Sequence, residues 1–474
     1  MQTIVLNPLK CSGAILATWL MLSRSAMGQA PPEESAVLQQ VLARLDRIEQ
    51  QNQELTGEIR ALRQELAASQ GHQATSAGSA PGTSSPSNGA LAEDLAEKLD
   101  VQERRLEEQA QTKVESSQHL PIRITGMALF NAFLNSGRPD SGSVVPVTAP
   151  LGGDGLSGGA TLRQTILGLE FRGPEVAGGG KVRGFLNMDF FAGSGDAFNN
   201  LLHIRTAGIE IDWANTSVMV GQDKPLISPR EPASLVQVGV SPLTGAGNLW
   251  IWQPQARVEQ RFRLGDHTRF RAQAGIFQTA EGYGYVPPSG YSPSFQNARP
   301  AAQGRFSLVH DLDDERRIEI GSGFDASDTH IAGASVPSRV FAVDWFANPW
   351  RKLEFSGSFF RGKNVSNLGG IGSGFTIVSY GNVIPVHADG GWAQMSLLAT
   401  RRLTFNFFGG EQDNRNRDLT YLGIAVNAAY GANLMYRFAP NVILSLETGQ
   451  VRTSYLGEAT RLSNHHGLGI AYLF

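Results

Sequence analysis

The chain has 474 residues, 41% of them hydrophobic and 18% charged, with 54 glycines, one cysteine and a formal net charge of −3. That length supports two or three domains and a sizeable core. Past the first thirty or so residues no apolar run is long enough to cross a bilayer as a helix, which excludes a transporter built of helices. The balanced charge, with no polybasic tail, argues against a nucleic-acid or anionic-lipid binder.

Residues 1–28 read as an export signal. Lys10 supplies the positive charge, residues 12–22 are mostly apolar, and Ala26 and Gly28 present small side chains where a signal peptidase reads them. About eleven apolar residues are too few to span a membrane. Cys11 precedes the apolar stretch, the wrong order for lipidation, so the mature chain has no cysteine. An exported protein without disulfides relies on hydrogen bonding, packing or assembly.

Residues 29–70 form the next unit. Leu38, Val41, Leu45, Ile48, Leu55, Ile59, Leu62 and Leu66 recur at spacings of three and four, with Asn52 in the one remaining seam position. The stripe is narrow and its flanks are polar, the pattern of an α-helical coiled coil and hence of self-association. The mix of Leu, Val and Ile does not separate a dimer from a trimer. Residues 71–90, rich in Gly, Ser, Ala, Thr and Pro, read as a flexible linker. Residues 91–120 carry a weaker stripe at Leu95, Leu99 and Leu106, a second short helical segment. Residues 29–120 hold 8 basic and 15 acidic side chains, whereas residues 121–474 hold 30 and 28.

From residue 121 the period changes to two. Lys181, Arg183, Asn187 and Asp189 alternate with Val182, Leu186, Met188 and Phe190, and Arg257, Glu259, Arg261 and Arg263 alternate with Val258, Phe262 and Leu264. Charge at that density on an inner face does not suit a dry core but suits a watery lumen with lipid outside. A β-sandwich is the competing fold. The links decide between them, because they alternate between short turns and long loops. Long ones fall at residues 135–160, 192–200, 224–252, 280–299, 326–338, 362–391, 412–420 and 456–463. The expected fold is therefore all-β, a transmembrane antiparallel barrel of about 16 strands over residues 121–474. Trp213, Trp345, Trp350 and Tyr436 sit beside short turns like an interfacial girdle. Leu468, Ile470, Tyr472 and Phe474 share one face of the final strand, an ending that resembles the C-terminal signature of bacterial outer-membrane barrels.

A barrel of that size encloses an aqueous channel unless something fills it. The third long loop is too apolar to float in water, with Leu226, Ile227, Leu235, Val236, Val238 and Val240, so it is expected to fold inward and narrow the lumen. Its charged residues are Lys224, Arg230 and Glu231. The barrel segment has 26 Arg and 4 Lys. Arg257, Arg261 and Arg263 face Arg269 and Arg271 across a tight turn, and Lys181 and Arg183 extend the basic wall. Such a wall favours anions, with Glu259, Asp189, Glu210 and Asp212 as the inward carboxylates that could neutralise it.

The heptad segment, the linker, the barrel, Gly221-Gln222-Asp223 before the long loop and Gln253-Pro254-Gln255-Ala256-Arg257 after it together resemble the DcaP-like trimeric porins. Ala256 stands where Ile or Val is more typical. The resemblance implies a homotrimer in the outer membrane, contacting its lipid, with the coiled coil in the periplasm. It also implies a pore for small anionic solutes such as dicarboxylates, with Arg257 facing the lumen. A periplasmic or cell-wall partner of the coiled coil is compatible with it.

Gly155-Leu156-Ser157-Gly158-Gly159 fits G-x-S-x-G, but in a Gly-rich loop with no helix after it to build a nucleophile elbow. His465 and His466 are adjacent and point to opposite faces at an expected loop rim, and residues 311–315 read as a solvated acidic turn. No catalytic residue, cofactor or metal is expected. A structural envelope tether with an incidental or plugged barrel, or less readily an outer-membrane barrel enzyme, are the competing classes.

Overall fold

The structure, a computed structural model, describes residues 121–136, 145–152, 155–192, 200–279 and 300–474. The export signal, heptad segment, linker and second helical segment expected over residues 1–120 lie outside the described residues.

The described chain is almost wholly β, with two short 3₁₀ turns. Its strands are β1 (Ile122–Ser136), β2 (Leu156–Thr161), β3 (Ile166–Val176), β4 (Gly180–Ala192), β5 (Leu201–Asp212), β6 (Thr216–Asp223), β7 (Gln253–Arg263), β8 (Thr268–Phe277), β9 (Ala301–Asp311) and β10 (Arg317–Ile331). They continue with β11 (Ala334–Trp350), β12 (Leu353–Lys363), β13 (Phe375–Ser379), β14 (Asn382–Pro385), β15 (His387–Leu398), β16 (Leu403–Asn414), β17 (Ile424–Ala439), β18 (Val442–Tyr455) and β19 (Arg461–Leu473). β13 and β14 form a separate hairpin, and the other strands make one antiparallel sheet.

The sheet closes where β1 pairs with β19, from Met127 opposite Leu473 to Asn135 opposite His465. Gly126 and Phe474 complete the seam by exchanging backbone bonds of 3.0 and 3.2 Å. β2 pairs with the upper half of β1 and β3 with the lower half, so together they act as a single wall strand broken at residues 162–165. The barrel thus has the 16 strands of the sequence expectation. At the break, Arg163 donates Nε and Nη2 to the carbonyls of Phe190 and Phe191 at 3.2 and 3.1 Å, and Thr165 Oγ1 accepts from Leu129 N–H at 3.1 Å. These bonds supply partners that the interrupted ladder cannot.

Alternation sorts the two faces. On β9, Gln303, Arg305 and Ser307 are buried toward the lumen, while Phe306 and Leu308 stand exposed outside. Ile124, Val258, Phe262, Ile320, Phe341 and Phe407 continue the exposed apolar surface on other strands. A closed sheet has no unpaired edge, so its backbone tolerates hydrocarbon, and the apolar outside with a polar lumen excludes a sandwich. At the short-turn end Trp213 donates its indole N–H to Ala177 O at 3.0 Å, and Tyr436 lies edge-on to Phe438 with ring centroids 6.5 Å apart.

One expected long loop is absent. β10 and β11 run on to Ile331 and Ala334 and join through Ala332 and Gly333, whose φ values of 49° and 76° make a tight primed turn. The polar run that reads as a loop is strand. Ser327, Thr329 and Ser338 are all buried, facing the lumen side and the inward 366–368 turn, where Asn367 and Asn364 bond Ser327 and Thr329 at 3.1 Å. Part of the first expected loop is likewise strand β2, and His465 and His466 lie within β19 rather than at a rim.

Candidate functional site: the constricted lumen

The link between β6 and β7, residues 224–252, crosses the interior. Leu226 N–H reaches Gln303 Oε1 of β9 at 2.8 Å, and Ala233 N–H reaches Gln394 Oε1 of β15 at 2.7 Å. Asn131 of β1 donates to Leu235 O at 2.6 Å, while Asn433 and Asn427 of β17 donate to Ala233 O and Gly245 O, each at 2.9 Å. The apolar residues that make this loop unfit for water fill pockets in the wall. Ile227 and Leu249 pack with Val340, Phe360 and Leu368, Leu243 packs with Trp392 and Phe408, and Leu226 packs with Phe277. At its nearest approach Gly247 has φ 95°, and a Cβ there would fall 2.1 Å from Gly391 O, so only glycine fits.

The loop's polar anchor is Glu447 of β18, 5% exposed. Its carboxylate accepts from Ser234 Oγ at 2.5 Å, Gln237 Nε2 at 2.6 Å and Asn433 Nδ2 at 2.9 Å. Two of those donors belong to the loop, so a wall carboxylate holds it from the opposite side of the barrel.

Next to the loop's first turn lies a cavity of about 370 Å³, lined by Lys224, Arg230, Arg257, Arg271, Arg305 and Arg317 together with Asp223 and Glu319. A second cavity of about 420 Å³ shares Arg271, Arg317 and Glu319 with it and runs toward Ala214 and Asn215 at the short-turn end. It also collects Glu259, Arg261, Arg263 and Arg269. The two form one basic passage.

An ion network fixes these side chains. Glu319 Oε1 takes Arg271 Nη2 at 2.6 Å and Arg305 Nη2 at 3.1 Å, while its Oε2 takes Arg230 Nη2 at 2.6 Å. Arg305 also grips Asp344 bidentately, Nε to Oδ2 and Nη2 to Oδ1, both at 2.8 Å. Arg230 and Arg317 stand over the Phe346 ring at 5.2 and 5.0 Å from its centroid. Planar guanidinium suits this shared, fork-like geometry, which an ammonium could not reproduce.

The expected basic ladder is real in register, but four of its five arginines, Arg257, Arg261, Arg269 and Arg271, are paired with carboxylates. Arg261 sits opposite Arg271 and Arg263 opposite Arg269. Arg257 bonds Asp223 at 3.0 Å, Arg261 bonds Asp212 at 2.5 Å, and Arg269 bonds Asp311 at 2.8 Å. Lys181 and Arg183 do not extend it. They line another cavity with Glu170, Arg172 and Glu210, and sit opposite Asp212 and Glu210 in the ladder. Of the loop residues, Lys224 and Glu231 pair with each other at 2.6 Å, and only Arg230 reaches the network.

Sequence reasoning missed Arg305, Arg317, Glu319, Asp344 and Glu447. Arg305, Glu319 and Asp344 each sit among apolar neighbours at lumen parity, a signal that marks the inward face without naming a partner.

The other motifs have structural accounts. Ser157 lies in β2 with no helix following. His465 is buried with its ring nitrogen 2.6 Å from Asn135 Oδ1, and His466 faces outward beside Thr448. In the acidic turn, Asp313 accepts from Arg316 Nε at 2.8 Å and from the amides of Glu315 and Arg316. The Arg316 guanidinium holds that carboxyl below its ordinary range. Among the described residues no group of three or more His, Cys, Asp or Glu is placed to hold a metal ion.

No family model matches the chain, and no curated protein matches it in sequence. In three dimensions it is similar to the outer membrane channel DcaP of Acinetobacter baumannii, at 16% identity and TM-score 0.62 over 74% of this chain and 97% of that one. The fold is that of a DcaP-type porin. A second solved structure, the anion-selective porin from Comamonas acidovorans, matches at 11% identity and TM-score 0.52 over 74% of this chain and 99% of that one. Within this barrel the 224–252 link is the inward loop between β6 and β7, the fifth and sixth of the 16 wall strands.

Proposed function

We propose that this protein is an outer-membrane diffusion channel for small hydrophilic solutes, that it favours anions such as dicarboxylates, and that it works as a homotrimer with its heptad segment in the periplasm. The observation that carries the preference is the make-up of the cavity beside the inward loop. Six cations, Lys224, Arg230, Arg257, Arg271, Arg305 and Arg317, meet only Asp223 and Glu319 in its lining. Adding Glu231 on Lys224 and Asp344 on Arg305 still leaves the cations in excess. A narrow low-dielectric wall focuses that excess onto whatever passes, raising the local concentration of anions. A solute with two carboxylates can address two arginine forks at once.

Reversal potentials in a planar bilayer under a salt gradient test this. The wild-type channel should be anion-selective, and succinate should compete with chloride. Replacing Arg257 and Arg261 together by Gln leaves Asp223, Asp212 and Glu259 without those guanidiniums, so the reversal potential should move toward cations. An unchanged potential would remove the basic passage as the source of selectivity.

The heptad residues carry the assembly part of the proposal. Substituting Leu45, Ile48, Leu55 and Leu62 by Ser puts hydroxyls in the seam, and the isolated segment 29–70 should then sediment as a monomer. Persistence of its oligomer would mean that the heptad seam is not what joins the copies.

A further inference from the structure

On the far side of the inward loop lies a cavity of about 400 Å³ with a lining wholly distinct from that of the basic passage. Three of its lining residues are aromatic. Trp250 and Trp252 meet edge-to-face with centroids 4.5 Å apart, and Phe191 completes the apolar surface. Its charges are few and not in cationic excess. Arg205 lies over the Trp252 ring at 4.8 Å and 3.7 Å from Asp189, and Glu231 is held by Lys224. The remaining lining offers neutral hydrogen-bonding groups, the side chains of Gln164, Ser234, Gln237 and Ser241.

We propose that this cavity is a binding subsite for a neutral, hydroxyl-rich ring, a monosaccharide. A hydroxyl group both donates and accepts, so a hydroxyl-rich ligand can use the amides, hydroxyls and carboxylates of this lining, whereas a carboxylate could use only the donors. The apolar C–H face of a sugar ring rests on indole as other flat apolar groups do, while the ring hydroxyls reach the carboxylates and amides at the rim. An anion gains nothing here, since Asp189 and Glu231 together outnumber Arg205. The volume falls in the range of small-molecule sites and suits a single ring rather than a polymer. The channel would then carry two classes of solute along separate walls, and this subsite stands independently of the anion preference.

Full-length protein in a planar bilayer, carrying a chloride current, tests this with D-glucose against sorbitol, the open-chain polyol with the same carbon count. Glucose should produce saturable current interruptions and sorbitol should not. Trp252→Ala should weaken the glucose effect about tenfold, equivalent to about 1.4 kcal/mol, with chloride conductance retained. Trp250→Phe keeps an aromatic face of smaller area, so it should weaken glucose by a smaller factor. Equal behaviour of glucose and sorbitol, or unchanged glucose interruption in Trp252→Ala, would overturn the subsite and leave a water-lined wall. Loss of anion selectivity in the Arg257 and Arg261 variant with glucose interruption intact would separate the two proposals.

Discussion

Replacing Arg305 by Leu should destabilise the barrel by about 3–5 kcal/mol, the usual consequence of removing one partner from a buried ion pair. Arg305 and Asp344 are each 3% exposed, and the bidentate contact between them is the shortest that Asp344 makes. Without it Asp344 keeps only Arg230 Nε at 3.6 Å, and Glu319 keeps Arg230 and Arg271. A buried carboxylate stripped of its main partner costs more than the pair contributed while it was whole. The denaturant midpoint of refolded protein measures the loss. Adding Asp344→Leu to the Arg305→Leu variant removes the stranded charge, and the double variant should recover most of the stability. If the double variant is as unstable as the two single losses added together, the arginine acts through packing and not through its charge.

Glu447→Ala should release the inward loop. The carboxyl group makes three hydrogen bonds, two of them with loop residues Ser234 and Gln237, and a typical bond contributes about 0.5–1.5 kcal/mol net. The apolar anchors at Ile227, Leu243 and Leu249 remain, so the barrel should fold, but the middle of the loop loses its hold on β18. Single-channel records should then show a larger and noisier conductance, with weaker selectivity because Arg230 rides on the same loop. Glu447→Gln, which still accepts from at least one donor, should fall between the two. A quiet, wild-type trace from Glu447→Ala would mean that the apolar contacts alone position the constriction.

The two variants probe different parts of one arrangement. Arg305, Glu319 and Asp344 set the wall against which Arg230 is placed, and Glu447 ties the middle of the loop to β18. In the proposed channel, conductance and selectivity are coupled through the loop, and a substitution at either anchor is expected to change both.

Much of the fold was legible in the residues themselves. Alternation such as Arg257-Val258-Glu259 and Arg261-Phe262-Arg263 identifies a wall with a wet and an oily face, because a strand turns successive side chains to opposite sides whatever lies around it. The count of 16 strands followed from turns and breakers. The apolar run in residues 224–252 had to be buried somewhere, and the lumen was the available place. Residues 326–338 misled for a related reason: polar side chains facing the inside of a wet barrel are indistinguishable, in composition, from a loop. The same ambiguity placed His465 and His466 at a rim although they sit in the last strand.

Local sequence thus determined strand period and face, since each depends on residues one or two positions apart and on the chemistry of lipid and water. The tertiary structure alone decided which charges meet. Leu226 and Gln303 are 77 positions apart, and Ser234 and Glu447 are 213 apart, so their encounter depends on the register of every intervening strand and on the path of the loop. The ladder of arginines could be read from one hairpin, but whether Asp223, Asp212, Asp311 and Glu319 would neutralise it could not, because those carboxylates arrive from neighbouring strands and strand ends. Coulomb energy falls with distance in space and takes no account of distance along the chain, and for that reason the pore's charge was settled only once the barrel had closed.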